Sequence, residues 1–167
     1  MTKKTKKTNH FLETSGVIYS FHGDRRMKAE VSDAVQDGKV WVSTFIRMEY
    51  LRGVIFNLIN LYFVVKEEDS VHDALVYWTQ TKFNQPRKFI VALVTIAPWL
   101  ESQDDPNSKS KSLRRLGEMI VRLVRDFDDK YPLRIKDNLE CCLGKVGFDR
   151  TPFDEDMLLG FYERFKS

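Results

Sequence analysis

At 167 residues, with 43% hydrophobic and 13% aromatic side chains, the chain is long enough for one domain with a sizeable core and too apolar to be disordered. A formal charge of +3 permits contact with nucleic acid without demanding it, because a small basic excess also serves solubility. The only two cysteines, Cys141 and Cys142, are adjacent, which excludes a disulfide framework and suits a reducing cytoplasm, and His10, His22 and His72 are too scattered for a zinc site.

Residues 1–9, "MTKKTKKTN", read as a flexible basic leader without an apolar signal region, leaving 10–167 as a single domain. Residues 10–13 read as a short buried strand, with Thr14 or Ser15 able to cap a following turn of helix. The segment 23–39 has a helical apolar side at Met27, Val31, Ala34 and Val35, and stops at Gly38. "VWVS", 40–43, is a second short strand, and Ser43 and Thr44 offer caps for a long helix, "FIRMEYLRGVIFNLINLYFVV". Strand, helix, strand, helix implies a parallel pair joined by a crossover.

Beyond it the pattern is helical. Ser70 can cap a helix through residue 83, Pro86 can open an almost uniformly apolar one that Pro98 would end or kink, and 101–112 is a surface loop. Leu113, Leu116, Ile120, Leu123, Val124 and Phe127 form one stripe of an amphipathic helix. After Pro132 the reading is a helix over 133–144, a short strand "KVGF" and a last helix over 154–165. The longest apolar runs, "VIFNLINLYFVV" and "FIVALVTIAPWL", fall short of the ~20 residues a bilayer needs, so no membrane partner is expected. The tryptophans and most phenylalanines are read as core.

Two carboxylates stand out. Glu13 closes the first strand, and Glu49 lies about one and a half turns into the helix leaving the second. In parallel sheets, ligands bind beyond the carboxyl ends of the strands, where both would lie. Glu49 falls among Phe45, Ile46, Gly53 and Phe56, with Arg52 the obvious partner, and a carboxylate on an apolar stripe needs a partner or a metal. A structural pair with Arg52 and a functional site with Glu13 are both open on this pattern.

"FLETSGVIY" followed by a helix and "KVWVSTFIRMEYLRG" resembles the opening of a PIN-domain nuclease: an apolar strand ending in an acid and Thr or Ser, then a strand ending in Ser and a helix carrying Glu. The match covers residues 10–53; the family's first acid is Asp, where this chain has Glu13. The resemblance implies an α/β, PIN-like (Rossmann-like) fold with a small parallel sheet and many helices. It implies a metal-dependent endoribonuclease using Mg²⁺ or Mn²⁺ held by Glu13 and Glu49, with Asp137 offered for the third acid and Asp126, Asp128 and Asp129 as competitors. Asp149 or Thr151 would stand near the end of a late strand. Ser15 and Ser43 could hydrogen-bond the ligating carboxylates, and Arg25 and Arg26 could meet an RNA substrate. A toxin or defence role, with an antitoxin or a site-completing subunit as protein partner, follows from the same likeness. The alternative is an impaired PIN-like domain acting as a docking module, which would expose an apolar patch on the helix of 86–100 or on the last helix.

Overall fold

The computed structural model describes residues 8–36, 38–82, 86–101, 109–131 and 153–166. The leader before Thr8, the segment 132–152 with Asp137, Cys141, Cys142, Asp149 and Thr151, and the helix and strand expected there lie outside the described residues. The described chain is largely helical, around a two-stranded parallel sheet.

β1 (Thr8–Phe11) pairs with β2 (Gly38–Trp41) in the register Thr8↔Gly38 to Phe11↔Trp41, and the ladder runs one bond further, Leu12 N–H donating to the Trp41 carbonyl at 3.0 Å. Side chains alternate across the strands: Leu12, Val40 and Val42 pack on the core, while Phe11 stands in solvent. Both strands begin two residues before the expected positions, and the first is not buried as expected.

Between them lie α1 (Thr14–His22) and α2 (Arg25–Val35). The single expected turn after Glu13 is a nine-residue helix. Val17 is fully buried, and Phe21 stacks on Phe127 with ring centroids 6.0 Å apart, so packing stabilises a segment whose β-branched and aromatic residues have little helical preference. The corner requires Gly23, where a Cβ would lie 2.5 Å from the Tyr19 carbonyl oxygen. Asp24 then caps α2 by accepting the Met27 N–H at 2.8 Å.

After β2, α3 (Thr44–Tyr50), a π-helical turn (Leu51–Ile55) and α4 (Phe56–Glu67) form one continuous helix through the core. Ile46, Tyr50, Val54, Leu58 and Tyr62 are all buried at steps of four residues. A regular helix would turn that stripe away by about 40° per step. The wide turn, in which Phe56 N–H bonds the Leu51 carbonyl five residues back, absorbs part of the drift. The Asn57 side-chain amide takes up the Gly53 carbonyl at 2.7 Å. At 24 residues, Thr44–Glu67 is long and apolar enough to cross a membrane by length and composition, longer than the apolar runs suggested; 61% of its apolar window is buried inside the fold.

Around this central helix pack α5 (Val71–Lys82), α6 (Pro86–Glu101), α7 (Lys109–Lys130) and α8 (Glu155–Lys166). Pro98 lies inside α6, which continues to Glu101, and α7 starts at Lys109, within the expected loop. Tyr50, Trp78 and Phe127 are among the largest side chains buried completely. α8 is tied to α4 by Glu155, which pairs with Lys66 and accepts the Tyr62 hydroxyl at 3.2 Å.

The rotation of α3 is fixed by Arg47, whose buried guanidinium meets Asp128 of α7 through Nε–Oδ1 and Nη2–Oδ2 contacts of 2.9 and 3.0 Å. Arg47→Leu leaves Asp128 without that fork and is expected to lower stability by about 2 kcal/mol in urea unfolding. That is below the full cost of a broken buried pair, because the Asp128 side chain is 37% exposed. Adding Asp128→Leu should recover at least half of the loss; an unchanged urea midpoint in the single variant would refute the role.

Candidate functional site: the acidic end of the parallel strands

Both strands run directly into helix N-termini at the same edge. Glu13 is the N-cap of α1, extended at φ −78° and ψ 168°; its carbonyl accepts the Val17 N–H at 3.0 Å, and its side chain makes no capping bond. Ser43 is the N-cap of α3, its hydroxyl accepting the Ile46 N–H at 3.2 Å. Parallel pairing therefore sets two helix N-termini, with their positive dipole ends, side by side.

Glu49 is two residues beyond Arg47, about 200° round the helix. With Arg47 anchored inward, Glu49 faces out and is exposed, as is Phe45 one turn earlier. The apolar environment expected for Glu49 is thus absent: Ile46 and Tyr50 take the buried side, while Phe45 does not. The carboxylate is instead joined to the first strand's exit, where the Thr14 hydroxyl donates to Glu49 Oε2. This bond spans 35 residues of sequence and ties the first turn of α1 to the last turn of α3. Thr14 was readable only as one of a polar pair; its partner was not.

Ser15, beside Thr14 in the first turn of α1, is exposed. Ser43 uses an acceptor lone pair for capping and has its own proton to give. Arg25 and Arg26 open α2, exposed, with Arg26 paired to Glu30 at 2.9 Å. Because α1 is a complete helix, these arginines stand about 13 Å along its axis from Thr14 rather than near the strand exit. Asp128 is held by Arg47, and Asp126 lies 3.6 Å from Arg122, so both face partners on α3 and α7.

At this edge the Thr14 hydroxyl meets the Glu49 carboxylate, and Glu13 caps α1 next to Thr14 in sequence; oxygen donors of this kind suit a hard divalent cation. Among the described residues, no three of His, Cys, Asp and Glu come close enough to form a complete metal cluster. Glu13 and Glu49 lie at the same edge of the sheet, and Asp137 lies outside the described residues.

A second polar cluster lies at the far end of α1. Thr95 donates its one proton to the Val91 carbonyl at 2.7 Å, so its oxygen accepts from His22 Nδ1 at 2.9 Å. His22 Nε2 then accepts from the Tyr50 hydroxyl at 3.0 Å. Burial, reinforced by the positive charge of Lys28, pushes the His22 pKa down to about 4, and burial raises that of Tyr50, with Asp126 adding to it. Every member is satisfied in its neutral form, as befits an internal tie between α1, α3 and α6.

Compared with protein-family models, with curated proteins and with solved structures, the chain matches none.

Proposed function

We propose that the chain is a PIN-like, metal-dependent endoribonuclease whose site lies at the carboxyl end of the two parallel strands. The observation that supports this reading is the Thr14–Glu49 hydrogen bond, which joins the helix glutamate to the residue that follows Glu13 at the exit of the first strand. The carboxylate is exposed rather than buried on the apolar stripe, and it is held by a hydroxyl.

In this reading Glu13, Glu49 and Asp137 would hold Mg²⁺ or Mn²⁺, and an ion bound there would lower the pKa of a water and stabilise charge developing on an attacked phosphodiester. Thr14 orients Glu49, and the protons of Ser15 and Ser43 are available to steady the carboxylates. Arg25 and Arg26 meet RNA phosphates away from the reacting one, consistent with their distance along α1. A cytoplasmic role in toxin or defence systems, with an antitoxin or completing subunit as partner, belongs to the same proposal. The test is cleavage of a single-stranded RNA by the full chain in Mn²⁺, with a chelator as control. Metal-dependent internal cuts support the reading; chelator-resistant cleavage, or none with wild-type chain shown to be folded, counts against it.

A second reading is favoured by a different surface. Ile90 and Val94 on α6 are 57% and 50% exposed at helical spacing, and Leu159 on α8 is 45% exposed. These are the two helices on which a docking module would show an apolar patch. Such a module would bind a protein partner through α6 and be indifferent to Glu49→Gln.

A further inference from the structure

The two most exposed large apolar side chains among the described residues flank the acidic edge: Phe45 at 70% and Phe11 at 62%. Their placement follows from the local fold. Phe45 lies one turn before Glu49 on the outer face of α3, where Cβ atoms four residues apart stand about 5–6 Å from each other. Phe11 ends β1, two residues before Glu13, on the solvent face of the sheet. Its register partner is Trp41, whose indole N–H donates to the Asn9 side chain at 3.5 Å on that face. Lys39, the register partner of Asn9, adds an exposed ammonium.

We infer that Phe45, together with Phe11, is a base-stacking surface that holds unpaired nucleotides on either side of the acidic edge. The inference rests on the metal-site reading of Glu13 and Glu49 and assigns these residues the task of positioning the strand. Aromatic faces accept any base, and rings interleaved with cationic groups suit a single strand whose bases are free to stack. Lys39 supplies a charge for phosphate beside Phe11 and Trp41. A duplex offers no such base faces, so the rings discriminate for single strands. A protein partner would find the same rings broken up by Glu13, Glu49 and Lys39, charges that are depleted at the centres of protein interfaces.

The test is fluorescence anisotropy of labelled oligouridine, about twelve nucleotides long, with the full chain in Ca²⁺, alongside an RNA duplex of equal length and Mn²⁺ calorimetry. Phe45→Ala and Phe11→Ala should each weaken single-strand binding about ten-fold, with melting temperature and Mn²⁺ affinity unchanged. Phe45→Trp should keep wild-type affinity, because it keeps a ring face. Alanine variants that bind the strand as wild type does would overturn the inference. So would equal wild-type affinity for duplex and single strand, or a wild-type dimer that Phe45→Ala dissociates. Loss of strand binding in the alanine variants of a chain that takes up no Mn²⁺ would support the stacking surface while removing the metal site.

Discussion

Glu49→Gln should reduce metal-dependent RNA cleavage by about 10³-fold, since losing one ion-binding carboxylate forfeits several kcal/mol of transition-state stabilisation, about 1.4 kcal/mol for each ten-fold. Stability should stay within about 0.5 kcal/mol of wild type, because the side chain is exposed. Thr14→Val separates orientation from ligation. It keeps the shape and removes the proton given to Glu49 Oε2, and should lower the rate about 10- to 100-fold, the range for groups that steady a ligand. Single-turnover cleavage at saturating Mn²⁺ measures both. A Glu49→Gln variant as active as wild type would remove Glu49 from the site, and a Thr14→Val effect exceeding that of Glu49→Gln would contradict the order of roles.

Acid should loosen the fold through His22. At pH 7 the imidazole is neutral in both folded and unfolded chains. Below about pH 6.5 the unfolded chain binds a proton that the folded chain resists until about pH 4. The unfolded state therefore holds more protons across that window, and stability is present above pH 6.5 and lost as the pH falls towards 4. The folded-to-unfolded difference corresponds to about 3 kcal/mol by pH 4, and no further loss from His22 follows below it. His22→Gln, uncharged at every pH, should flatten this part of the curve. Urea unfolding at pH 7.5, 6, 5 and 4 reads the difference; parallel curves for wild type and variant would show that His22 is not held neutral.

The parallel strand pair was legible because "HFLE" and "VWVS" are short apolar runs set apart by a capped amphipathic helix. Glu13 and Glu49 could be placed at one edge from that topology alone. The extent of α1 was not legible, since Val17, Ile18, Tyr19 and Phe21 have little helical preference of their own and the helix is held by Phe127 and Tyr50 packing on Phe21. That one helix moves Arg25 and Arg26 well away from the edge. The outward turn of Glu49 was hidden for a related reason: Phe45, Ile46, Glu49 and Phe56 suggest one stripe, but Arg47 is anchored on Asp128, 81 residues away, and a π-helical turn changes the helix phase before Phe56. Partners so distant leave no local signal. The exposure of Phe11 and Phe45 runs against composition, which assigns phenylalanine to the core.

The most direct measurement is calorimetric titration of the full chain with Mn²⁺, repeated for Glu13→Gln and Glu49→Gln. Saturable binding to wild type that each substitution weakens at least ten-fold is the expected result, and it would make the two carboxylates ligands of one ion. Binding equally strong in wild type and both variants would place the ion elsewhere, and a wild-type chain that binds no Mn²⁺ would contradict a metal site at the strand ends.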